Sequence, residues 1–87
     1  MFILNNTIFI YIMMTVTSDG ASVKLDFGDG AYAIHPHASL IAISDESDII
    51  TFRLVGSRKT LYQADYTDIT PNGSDAAETV ETLNLIL

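Results

Sequence analysis

At 87 residues the chain holds one domain at most, and a domain of that size buries only about 60% of the surface its unfolded form exposes. With no Cys and two His, disulfides are excluded and a closed zinc site would need carboxylate ligands as well, so oligomerisation is the remaining reinforcement for a small core. Eleven acids against four bases give a formal charge of −7, which argues against nucleic acid and anionic membrane surfaces, because phosphate binding needs clustered Lys and Arg.

Residues 1–18 carry no charge, and the first charged residue is Asp19. The apolar stretch 1–13 is broken at Asn5-Asn6-Thr7 and is too short for a membrane span. It also lacks the basic start and small-residue cleavage site of a secretory signal. Two readings remain: an extra strand rich in Ile, Phe and Tyr, or residues upstream of a natural start at Met14. The domain proper is expected at 14–87.

From Thr15 onward, short apolar runs alternate with turn residues. Thr15-Val16-Thr17 leads to a turn at Ser18-Asp19-Gly20. Ser22 to Phe27 alternates, with Val23, Leu25 and Phe27 on one face and Lys24 and Asp26 on the other, the pattern of a half-buried strand. Gly28-Asp29-Gly30 turns the chain into Ala31–Ile34, and Pro36, with no N–H, is expected to interrupt pairing around His35 and His37. Leu40–Ile43 is wholly apolar and reads as a strand covered on both faces. Ile49–Val55 and Thr60–Thr67 form the arms of a hairpin joined by Gly56-Ser57-Arg58-Lys59, a connection often built on a type I turn.

Pro71-Asn72-Gly73 is a strong turn signal, and Ser74 is an N-cap candidate. Ala76, Val80, Leu83 and Leu87 then recur at helical spacing, while Glu78 and Glu81 point away. A helix over about 75–86 is too short to stand alone and must rest on the sheet. The expected fold is therefore α+β: a small antiparallel sheet or open barrel of about five or six strands, closed by one C-terminal amphipathic helix.

No residue set forms a catalytic, cofactor or metal constellation. Asp26-Phe27-Gly28-Asp29-Gly30 shares letters with a kinase magnesium motif and half a calcium loop, but the remaining apparatus of each is missing, and a tight turn accounts for it. Asp45-Glu46-Ser47-Asp48 reads as a solvated loop. His35 and His37 flank a proline, and an extended chain would bring their imidazoles to one side, yet no third His completes a ligand set. Tyr32, Tyr62 and Tyr66 combine an apolar body with a polar tip, so with His35 and His37 they are the candidate interface residues.

The C-terminal half, residues 49–87, resembles small virion proteins of phages that infect Bacteroidetes-type bacteria. The likeness lies in the hairpin, the Tyr66-Thr67-Asp68-Ile69-Thr70-Pro71 step and the short capped helix ending in leucines. It implies a structural part of a capsid, spike, fibre or tail, located in the particle or in the host cytoplasm before assembly. Such proteins act through surfaces, so the resemblance carries over no functional residue. The resulting expectation is a non-enzymatic structural protein without cofactor, assembling with itself or a larger protein complex through sheet edges and aromatic contacts. A small acidic module that engages a host protein is the alternative.

Overall fold

The structure, a computed structural model, describes residues 10, 11, 13–45 and 47–87. The readings placed on residues 1–9 lie outside that range. The chain is α+β, with strands in two sheets that do not close and one C-terminal helix. In chain order the strands are β1 (Ile10–Tyr11), β2 (Met14–Ser18), β3 (Ser22–Gly28), β4 (Ala31–Pro36), β5 (Leu40–Ser44), β6 (Ile49–Leu54), β7 (Thr60–Asp65) and β8 (Ile69–Thr70). A 3-10 turn at Tyr66–Asp68 separates β7 from β8, and α1 spans Ala76–Ile86.

Each sheet is an antiparallel meander with one extra strand added in parallel. The first has the order β1-β7-β6-β5 and the second β4-β3-β2-β8. The added strands come from chain runs that leave one sheet for the other. Residues of β1 pair with β7 (Ile10 with Gln63), whereas β2, just downstream, pairs with β8 (Met14 with Ile69). β1 and β7 thus pair in one sheet while β2 and β8, the next strands along each run, pair in the other, as strands that switch sheets do at the corners of a folded sheet. The six longer strands are those that the short apolar runs and intervening turn residues mark. β1 and β8, each two residues long, make the parallel pairings.

The core lies between the sheets and under the helix: Met14, Val16, Val23, Leu25, Leu40, Ala42, Ile50, Phe52, Ala64, Ile69, Ala76, Leu83 and Leu87 are all buried. Val23 and Leu25 face inward as their alternation requires, with Phe27 packed partly against them. A bulge between Asp26 and Gly28 precedes the turn, where Asp26 Oδ1 accepts the Gly28 N–H at 2.9 Å.

Four local expectations are corrected. β4 does not stop at Ile34 but runs on through His35 and Pro36, which pair with Val23 and Ser22. Pro36 is tolerated because it ends an edge strand, and the His37 N–H then donates to Ala21 O. β5 is not covered on both faces: Leu40 and Ala42 are buried, while Ile41 is exposed. The β6–β7 connection does not turn at Gly56–Lys59. Its hydrogen bond runs from Ser57 N–H to Leu54 O, and Gly56, at φ 84°, takes the third position, as a type II turn demands. Finally, Asp75 rather than Ser74 caps α1, accepting the Glu78 N–H at 2.8 Å, and the Ser74 hydroxyl donates to Glu78 Oε2. An Asp at this position adds a favourable charge at the positive helix end.

Along α1 the buried residues are Ala76, Thr79 and Leu83, with Val80 half-buried. The helix runs antiparallel to β5. Its first turn stands near Ser44, Ser47 and Asp48, Asn84 reaches Ala42, and Leu87 O accepts the Ala38 N–H.

Candidate interaction surfaces

Of the five candidate interface residues, three are engaged inside the chain. Tyr62, on β7, packs against the core, and its hydroxyl lies 2.7 Å from His35 Nε2 on β4. The Phe27 ring packs tilted at 41° against Tyr62, 5.4 Å between centroids, and the His35 ring meets Tyr62 edge-on at 5.7 Å. This trio ties the second sheet to the first. Burial of the His35 ring disfavours its charged form and holds its pKa below the usual histidine value. Tyr66 also packs against the core, with its carbonyl accepting from Asn72 Nδ2 and its hydroxyl donating to Ser74 O.

The other two are exposed. His37 stands in the turn after β4. The strand ends at Pro36, so His35 points into the junction while His37 belongs to the loop. Tyr32 is 57% exposed on the outer face of β4, with Lys24 Nζ 4.7 Å from its ring centroid. Beside it Ile34, also 57% exposed, stands opposite Lys24 in the register. Ile34 escapes the sequence reading, although a signal exists. In Ala31–His35 the small Ala33 occupies an inward position, and the bulky Tyr32 and Ile34 point outward, the inverse of a half-buried strand.

The two terminal antiparallel strands differ in how their free edges are treated. β5 is covered: Asn84 of α1 accepts the Ala42 N–H at 3.0 Å and donates Nδ2 to Ala42 O at 2.9 Å, as a neighbouring strand would. The outer edge of β4 pairs with no strand among the described residues. An unpaired row of backbone donors and acceptors beside exposed apolar side chains is a template for another chain.

Charge is segregated along the first sheet. Asp48, Asp65 and the helix cap Asp75 gather at the end where β5 turns into β6, and Arg58 and Lys59 stand at the opposite end, while Asp45 and Arg53 line one recess along the sheet between them. Asp65 Oδ1 accepts from the Thr67 N–H and hydroxyl, which lowers its pKa. Among the described residues no group of three or more His, Cys, Asp and Glu is arranged to hold a metal ion, and no helix is long and apolar enough to cross a membrane. No protein family, curated protein or solved structure matches the chain.

Proposed function

We propose that the chain is a non-enzymatic structural protein, a minor component of a phage particle, which works by joining copies of itself or a larger assembly through a sheet edge. The observation that carries this reading is the β4 edge, unpaired among the described residues, with Tyr32 and Ile34 beside it, set against a β5 edge that the chain covers with its own helix. The small core adds a motive, since a partner would bury apolar surface that 87 residues alone leave in water. The likeness of residues 49–87 to small virion proteins points to the kind of assembly.

The test combines two measurements. Peptides of this chain should occur in purified particles, and light scattering after size exclusion should show association that Ile34→Lys weakens while the melting temperature holds. A wild-type monomer at high concentration, absent from particles, overturns the proposal. The second reading, a module binding a host protein, draws on the acidic end of the first sheet. Stoichiometric capture of a host partner, lost in Asp48→Lys, would favour it.

A further inference from the structure

The hairpin between β6 and β7 presents features that its own chain does not use. Val55, at the corner of the turn, is 62% exposed, and Ile41 and Leu54 beside it are exposed as well. These three and Arg53 and Arg58 line one open groove. No ion pair engages Arg53, Arg58 or Lys59 among the described residues. Three of the four basic residues of a chain with charge −7 therefore stand together around an apolar tip. That tip fits an apolar cleft rimmed by carboxylates.

The same chain carries such a cleft at the other end of the sheet. A recess of about 490 Å³ lies between the β5–β6 turn and the start of α1. Ala76, Ala77 and Val80 supply its apolar wall, while Asp48 and Asp75 stand on its rim with Ser44 and Ser47. Six residues of β6 separate the two ends, roughly 20 Å of extended chain. One molecule therefore cannot close its own tip onto its own cleft.

We propose that the occupant of the hairpin surface is a second copy of this chain: Val55 seats against Ala77 and Val80 of the next molecule, and Arg58 and Lys59 face its Asp48 and Asp75. The contact joins two different patches, so it is head-to-tail, and its repetition builds a ring or a filament rather than a closed pair. This rests on the self-assembly reading above but uses a different surface from the β4 edge.

Complementary charge reversal tests it. Arg58→Glu/Lys59→Glu changes the tip, and Asp48→Lys changes the rim, all at exposed positions. Circular dichroism melts first establish that both variants fold. In sedimentation velocity the wild type should associate with rising concentration and dissociate as salt screens the contact. Each variant alone should associate at least about tenfold more weakly, because like charges then face each other. An equimolar mixture should recover association, since each variant then meets the charge it needs. Association that survives both variants, or a mixture that stays apart, overturns the head-to-tail contact and leaves the β4-edge reading standing. A wild type that is monomeric throughout overturns both.

Discussion

Thr79 is fully buried, and it is there as a hydrogen-bonding group rather than as filler. Its hydroxyl donates to Asp75 O at 2.8 Å and accepts the Gly73 N–H at 2.9 Å, so one side chain fastens the turn before α1 to its first turn. Thr79→Val keeps the shape and removes the hydroxyl, which leaves the Gly73 N–H without its acceptor. The expected cost is about 1–3 kcal/mol, or a melting temperature lower by roughly 5 °C or more for a domain of this size. Thr79→Ser, which keeps the oxygen, should lose less. Calorimetry decides the matter: a Val variant as stable as the wild type would show that water satisfies that N–H. Periodicity counts Leu83 and Leu87 as core but has no means of counting a hydroxyl whose partner is backbone, so the stripe read from the sequence leaves Thr79 out.

At the scale of elements, α1 is both a lid on the core and a cover for β5. Leu83 and Leu87 are buried beneath it, and Asn84 completes the Ala42 backbone from the side. Asn84→Ala should release both hydrogen bonds at a cost of about 1–2 kcal/mol and speed hydrogen exchange at the Ala42 amide. Unchanged protection of that amide would mean that the helix itself, and not the Asn84 side chain, shields the edge. Much of this element pattern is legible beforehand. Ser22–Phe27 alternates without a break, and the spacing of Ala76, Val80, Leu83 and Leu87 requires a helix with something beneath it. The runs that switch sheets are not legible, because local alternation says which face is buried and nothing about which sheet receives it. Ile69 shows the limit: it is buried only because β8 lies beside β2, a contact between residues far apart in sequence. The candidate surface fared in the same way. Tyr32 is exposed, whereas Tyr62 is turned inward by a register that only the folded hairpin defines.

For the whole molecule the decisive joint is the one between the sheets, and it contains a titratable group. His35 on β4 meets Tyr62 on β7 at 2.7 Å, with Phe27 of β3 packed against the same ring. Burial lowers the His35 pKa in the folded chain below the value near 6.5 that it has when exposed. As pH falls below about 6.5, the unfolded chain takes up a proton that the folded chain still refuses, so unfolding gains free energy. The contribution of His35 is therefore greatest above that pH and is lost progressively as pH drops toward its lower folded value. Asp19 and Asp65 have carboxyls held below the ordinary value by hydrogen bonds from neighbouring backbone and side-chain groups. Their contributions persist until pH falls below about 3.8, so the two effects occupy separate windows. Thermal melts from pH 8 to pH 5 should show falling stability in the wild type and a flatter profile in His35→Gln, which cannot titrate. If the wild-type and His35→Gln profiles run parallel, proton uptake at the sheet junction does not govern stability, and the hydrogen bond to Tyr62 tolerates both charge states of the ring.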